Sequence, residues 1–267
     1  MSAARREPEL ARAAIGAYVI GDEILVGKRL DKHFAFLIGA LAKRGLRLAW
    51  CAYLGDEPAR LTESFRRSFA SGDIVFSFGG IGATPDDLTR ECAAEALGVP
   101  LALHPEAEQE IRARFGGELT PQRLKMGEFP LGSEIIPNPV NRIAGFSISR
   151  HHFVPGFPQM AAPMVEWVLD HRYAALAGRD SWVESSIRVF EAGEGNLMPI
   201  MERISAQYAE AKLFSLPSMG EDGSRRHVEL GVRGTPDAVA RAMAEIRAWV
   251  DAAAYPWEEA RQEEAKP

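Results

Sequence analysis

Cysteine is nearly absent: the 267 residues include two, Cys51 and Cys92. They form no CxxC pair and show no metal-ligand spacing, which excludes a disulfide framework and a cysteine-held zinc. Each sits in an apolar pattern and reads as a small buried residue of a reducing compartment. Long apolar runs are missing as well; none approaches the roughly 18 residues of a membrane span, so no membrane partner is expected. An excess of basic charge is also lacking, since 31 Lys+Arg face 37 Asp+Glu for a formal charge of −6. That balance leaves no footprint for nucleic acid. The polar stretch Met1 to Arg12 has none of the apolar core of a secretion signal. The expected location is cytoplasmic.

The most informative segment is Ser77-Phe78-Gly79-Gly80-Ile81-Gly82-Ala83-Thr84-Pro85-Asp86-Asp87-Leu88-Thr89. It follows the apolar run Asp73 to Phe76 and precedes a helical pattern ending at Leu97. Without Cβ atoms, Gly79, Gly80 and Gly82 let the backbone approach a ligand closely. Thr84 as N-cap, Pro85 at the first helical position and Asp87 three residues after the cap predict a helix opening there, closed by Gly98. A helix start favours an anion such as phosphate, and acids beside it suit a divalent cation. Capping alone explains Thr84, Pro85 and one acid, but gives the glycines and the second aspartate no purpose. No Gly-Lys-Ser/Thr follows, and the glycine spacing is not that of a dinucleotide fingerprint.

Around this segment strand and helix patterns alternate. Strands are predicted at Ile15 to Ile20, Leu46 to Leu54 and Asp73 to Phe78, with helices at Asp31 to Arg44, Pro58 to Phe69 and up to Leu97. This order predicts a parallel sheet covered by helices, whose ligands gather beyond the carboxyl ends of the strands. Three turns after strands carry acids: Gly21-Asp22-Glu23, Gly55-Asp56-Glu57 and Pro85-Asp86-Asp87. If the strands are parallel, these acids converge on one edge. Two short helices are predicted between Gly98 and Met126, then rigid Pro/Gly loops over 127–160 and a helix from Gln159 to Leu169. The expected organisation is an arm over 1–13, a main domain over 14–175, a small β-α-β-β-α domain over 180–252 and a solvated tail over 253–267.

Several segments together resemble the MoaB/Mog-type molybdopterin-binding superfamily, and more closely the N-terminal part of the competence/damage-inducible CinA proteins. The motifs are Gly21-Asp22-Glu23-Ile24-Leu25-Val26-Gly27, Leu54-Gly55-Asp56, the glycine segment from Gly79 to Thr89, Asn138-Pro139 with Gly145-Phe146, and Val154-Pro155-Gly156-Phe157-Pro158. Departures from the family pattern are Phe78 for a threonine, Ala83 and Phe157 for prolines, His33 for an asparagine, Asn141 for a glycine and Gln159 for an acid. The fold class implied is α/β, a MoaB/Mog-like three-layer parallel-sheet domain followed by a small α+β domain.

The resemblance implies a small-molecule nucleotide or pterin ligand, held by Gly21, Glu23, Gly79, Gly80, Gly82, Thr84, Thr89, Asn138, Pro155 and Gly156. In CinA-like members it implies divalent-metal-dependent hydrolysis of the pyrophosphate in ADP-ribose. Mg²⁺ or another divalent cation would be held by Asp87 with Asp56 or Glu23, and Asp86 or Asp56 would serve as general base. A homo-oligomer is implied as well. Full-length CinA proteins continue into a deamidase domain, whose amide hydrolysis is not expected of this chain. Two rivals share the site: a molybdopterin carrier or adenylyltransferase of molybdenum cofactor synthesis, and a non-catalytic binding module, which Phe78 and Phe157 encourage.

Five other residues invite a functional reading. His33 stands at a helix start as a ligand contact or an exposed polar residue. His151 and His152 adjoin in a strand, so they point to opposite faces and cannot easily grip one ion. Asp31 reads as an N-cap, although the resemblance places a ligand contact nearby, and Arg142 as a bidentate hydrogen-bond donor to phosphate or an ordinary solvated arginine. The stripe Met198, Met201, Ile204 reads as core.

Overall fold

The computed structural model describes residues 10, 13–179, 182–220 and 225–260. Contacts divide them into two compact units, Met1–Arg179 and Asp180–Pro267.

In the first unit β1 (Ile15–Ile20) is followed by one helical turn, α1 (Asp22–Leu25), and by α2 (His33–Ala42). Then come β2 (Trp50–Leu54), α3 (Pro58–Ser71), β3 (Ile74–Phe78) and α4 (Thr89–Leu97). β4 (Leu101–Leu103), α5 (Pro105–Phe115), α6 (Pro121–Lys125) and β5 (Glu128–Pro130) follow, and β4 and β5 pair antiparallel. β6 (Glu134–Ile136), β7 (Gly145–Ile148), β8 (His151–Val154) and α7 (Pro158–Arg172) return to the main sheet.

That sheet has the order β2-β1-β3-β8-β7-β6, with β2, β1, β3 and β8 parallel. All six residues of β1 are buried, as a central strand covered on both faces requires. Ile15, Ala17 and Val19 pack with Leu37 and Leu41 of α2 and Met164 and Val168 of α7. Tyr18 and Ile20 pack oppositely, with Leu61 and Phe65 of α3 and Ala93 of α4. This period of two gives the three layers. The chain leaves β1 toward β2 on one side and then crosses to β3 on the other, so the order reverses between β1 and β3. In register Ile20 lies beside Leu54, Val19 beside Phe78 and Phe78 beside Val154. Four strand ends therefore share one edge.

The second unit contains β9 (Val183–Phe190), α8 (Glu194–Gln207), β10 (Ala211–Ser218), β11 (His227–Gly234), α9 (Pro236–Ala252) and β12 (Trp257–Glu259). Its antiparallel sheet, ordered β10-β11-β9-β12, shares one core with both helices through residues such as Val189, Leu230, Ile200 and Ile246.

The structure corrects several sequence expectations. β2 begins at Trp50 rather than Leu46. Segment 127–160, expected as loops, contains four strands of three or four residues, too short to show a period. Trp257–Glu259, expected in a solvated tail, pairs with Val189 to Ile187 of β9. Met198 is 45% exposed although Met201 and Ile204 are core. Of the expected arm only Leu10 and Ala13 are described, and both pack against the main core.

Candidate functional site

The shared edge opens into a cavity of about 680 Å³. Gly21 and Glu23 enter from the turn after β1, and Asp56 from the turn after β2. Gly79 to Thr84, Asp86 and Asp87 come from the loop after β3, and Pro155, Gly156 and Phe157 from the turn after β8. A crevice at the reversal of strand order is where open α/β sheets bind ligands.

The loop after β3 is shaped by its glycines. Gly79 has φ 102° and Gly80 φ 66°. A Cβ on Gly79 would lie 2.4 Å from the Ile20 carbonyl, and one on Gly80 2.2 Å from Thr89 Oγ1. Thr89 fixes the loop from beneath: its hydroxyl donates to Gly79 O at 3.1 Å and its N–H to Gly80 O at 3.0 Å. With those carbonyls engaged, the N–H groups of Gly80, Ile81, Gly82 and Ala83 donate to no protein acceptor among the described residues. A run of free amides on a cavity wall suits an anion.

The expected helix start at Thr84 is not formed, because α4 begins at Thr89. Instead Thr84 and Asp87 close a turn on themselves. Asp87 N–H donates to Thr84 O at 3.0 Å, and Asp87 Oδ2 accepts from the Thr84 N–H at 2.9 Å and hydroxyl at 2.5 Å. The capping chemistry was legible, but it makes a turn rather than a helix end. What the loop offers an anion is therefore its amides, not a helix dipole.

Acids and bases share the cavity. Asp22 N–H donates to Asp56 Oδ2 at 3.0 Å, and Asp56 N–H donates to Asp22 Oδ1 at 3.2 Å, tying the two turns together. Burial, and then the charges of Asp22, Glu23 and Asp86, push the Asp56 carboxyl above its usual range. Asp86 lies below it with Thr84 as the first cause, although the Thr84 hydroxyl proton itself goes to Asp87 Oδ2. The sequence reading missed Lys28 and Arg29, which line the same cavity. It also missed Arg90, 3% exposed, whose guanidinium donates to Gly82 O at 2.7 Å and to Lys125 O. Only the basic pair after Gly27 offered a signal; Arg90 reads as an ordinary helix residue.

Glu23, Asp56 and Asp87 thus line one cavity, yet among the described residues no three acidic, histidine or cysteine side chains approach closely enough to enclose a metal ion. The expected trio is not a preformed cage. The oxygen donors still suit Mg²⁺, which keeps several waters and needs one or two carboxylates beside substrate phosphates.

Two expected ligand contacts are corrected. Thr89 is fully buried beneath the loop. Asn138, 5% exposed, organises its own turn: Nδ2 donates to Asn141 Oδ1 and Ile143 O, and Oδ1 accepts from the Val140 N–H. Phe78 does not plug the cavity; its buried ring stacks on His33 at 4.5 Å. His33, 5% exposed, donates from Nε2 to Gly156 O at 3.2 Å, so neither reading of it holds. Burial lowers its pKa. Asp31 does cap α2, accepting from His33 and Phe34 N–H groups at 2.7 and 3.1 Å. Arg142 pairs with Glu110 at 2.7 Å. His151 and His152 do part to opposite faces, toward Ser68 and Tyr173 respectively.

Residues 16–175 match the family model described as a probable molybdopterin binding domain. The chain belongs to this molybdopterin-binding family. A CinA-like protein of Anaeromyxobacter sp. strain K is 37% identical over 164 residues, 58% of this chain and 40% of that one. Another, from Anaeromyxobacter dehalogenans strain 2CP-C, is 33% identical over 234 residues, 83% of this chain and 55% of its own. The chain therefore spans about half the length of the curated relatives it matches. Among solved structures, the protein CinA of unknown function from Thermoplasma acidophilum is 28% identical with a TM-score of 0.54, covering 59% of this chain and 97% of that one. This molybdopterin-binding fold thus brings Glu23, Asp56 and Asp87 to the cavity rim. No helix among the described residues is long and apolar enough to cross a membrane.

Proposed function

We propose that the cavity binds an ADP-ribose-like dinucleotide and hydrolyses its pyrophosphate with the help of a divalent cation. One observation carries this reading: free amides of the glycine loop, two basic side chains and a set of carboxylates face the same 680 Å³ space. The amides from Gly80 to Ala83 orient the diphosphate, and Lys28 and Arg29 offset its charge. Asp56, with its raised pKa, is the better proton acceptor and Asp86 the poorer one, because a general base works best with a pKa nearer the operating pH. Water attacks one phosphorus as Asp56 takes its proton, the bridging P–O bond breaks, and AMP and ribose phosphate result. A bound divalent cation supplies charge neutralisation and a more acidic water. Glu23 and Asp87 are the side chains placed to contribute to holding it, which leaves Asp56 as the proton acceptor.

The test is incubation of the purified protein with ADP-ribose and a panel of divalent ions, with AMP as the readout. Absence of turnover at every ion would remove the hydrolase reading. The family description favours a second reading, a pterin ligand without hydrolysis; retention of a fluorescent pterin during purification, with no AMP formed, would select it.

A further inference from the structure

Beside its acids, bases and glycines the cavity is lined by apolar Met126, Ile143, Phe157 and Met160 and by the polar side chain of Asn141. Two of these residues, Asn141 and Phe157, stand where the family pattern has glycine and proline. They meet through Met160: Asn141 Nδ2 lies 3.3 Å from Met160 Sδ, and the Met160 N–H donates to Phe157 O at 2.9 Å.

The Asn141 amide has a fixed orientation. Its Oδ1 accepts from the Ile143 N–H at 2.9 Å and from Asn138 Nδ2 at 2.8 Å, so the NH₂ group must be the one turned to Met160. A thioether is a weak acceptor, which leaves an oriented double donor with only a soft partner on the cavity wall. Phe157 is 51% exposed at the N-terminus of α7, and no ring pairs with it among the described residues. A half-exposed aromatic face beside an under-used in-plane donor suits a flat ring carrying an acceptor on its edge.

We infer that Phe157 and Asn141 form a subsite for a planar heteroaromatic ring with an in-plane acceptor. Phe157 stacks on the face and Asn141 Nδ2 donates to the edge. The inference rests on the proposed function for the rest of the ligand and adds what selects its ring. Adenine and pterin share this chemistry.

Calorimetry would measure ADP-ribose, pterin-6-carboxylate and inorganic pyrophosphate against wild type, Asn141→Asp and Phe157→Ala. Asn141→Asp keeps an oxygen for Ile143 and Asn138 but removes the donor, and Phe157→Ala changes an exposed side chain. Thermal melts confirm that each variant is folded. We expect Asn141→Asp and Phe157→Ala each to weaken the ring ligand about 5- to 10-fold. Pyrophosphate should change less than about threefold. Whichever ring compound binds wild type identifies the source. Unchanged ring affinity in both variants, with pyrophosphate still bound, overturns the subsite and leaves the proposed function standing. Pterin binding that is lost in the variants, without ADP-ribose binding, upholds the subsite and rejects the dinucleotide. Failure of both ring compounds on wild type overturns the subsite.

Discussion

Asp22 and Asp56 each hold the other's carboxylate through a backbone N–H, at 3.0 and 3.2 Å, although 34 residues separate them. The pair fastens the turn after β1 to the turn after β2 and sets two like charges side by side. Asp56 bears the consequence, with its carboxyl raised by burial and then by Asp22, Glu23 and Asp86. If Asp56 is the proton acceptor, its ionisation sets the acid limb of the pH–rate profile. Asp22→Asn keeps the oxygen that accepts from Asp56 N–H and deletes one repelling charge. The Asp56 pKa should then fall, moving the acid limb to lower pH. A kcat/KM profile checks this; a limb that stays put, or moves upward, removes Asp56 from the base role.

Asp87 closes a turn and, in the proposed function, helps to hold the cation; substitution separates the two. Its Oδ2 closes the turn with Thr84, which Asn at this position largely preserves. We expect Asp87→Asn to lower ADP-ribose turnover by about 100-fold or more, the scale for removing a charged catalytic group, with thermal stability almost unchanged. Thr84→Val removes the hydroxyl alone and should cost about 1 kcal/mol of stability with a smaller loss of turnover. Equal activity in Asp87→Asn and wild type would confine Asp87 to the turn.

How far the sequence reveals this site depends on the range of the interactions. Ile15 to Ile20 was legible because an apolar run bounded by a glycine turn needs no distant partner to become a buried strand. The convergence of Glu23, Asp56 and Asp87 followed from strand order. The start of α4 was not legible: Thr84 and Asp87 make the same bonds whether the turn continues or closes. What stops it is Thr89, bound back to Gly79 and Gly80. Arg90 was hidden for a similar reason, since one acceptor, Lys125 O, lies 35 residues away. The strands between Glu128 and Val154 hide because three or four residues beside Pro and Gly carry no period.

The glycines of the loop should fail differently when replaced by alanine. Gly79→Ala places a Cβ 2.4 Å from the Ile20 carbonyl at a φ of 102°, so backbone must move. Strain and overpacking there should cost about 2–4 kcal/mol. Gly82→Ala meets only the side-chain oxygen of Asp87, at 2.4 Å and without a positive φ. It should fold with a loss of about 1 kcal/mol or less, because a side chain yields more cheaply than backbone, yet displace Asp87 and weaken the diphosphate ligand. Urea unfolding and pyrophosphate titration measure the two effects. A Gly79→Ala protein as stable as Gly82→Ala would contradict this account of the loop.

Acid should destabilise the main domain through two histidines that take no part in the cavity. His151 is fully buried, donating from Nδ1 to Ser149 O and accepting at Nε2 from Ser68, with the Phe69 ring 4.1 Å away. Burial lowers its pKa to about 4, against weaker opposing pulls from the Ser149 carbonyl and then Asp73. His152, 1% exposed between Ser147 and Tyr173, is lowered by burial and by the charges of Arg172 and His151. Because the folded pKa lies below that of the unfolded chain, protons prefer the unfolded state. Stability is complete above about pH 6.5, the ordinary imidazole value, and falls as pH drops toward 4. Each histidine contributes a slope of up to about 1.4 kcal/mol per pH unit within that window, or about 3 kcal/mol in total for His151. His151→Gln retains a donor and an acceptor without a titrating ring, so its urea midpoint should vary less between pH 6.5 and 5 than that of wild type. If both proteins lost stability equally over that interval, the acid sensitivity would have to come from carboxylates instead.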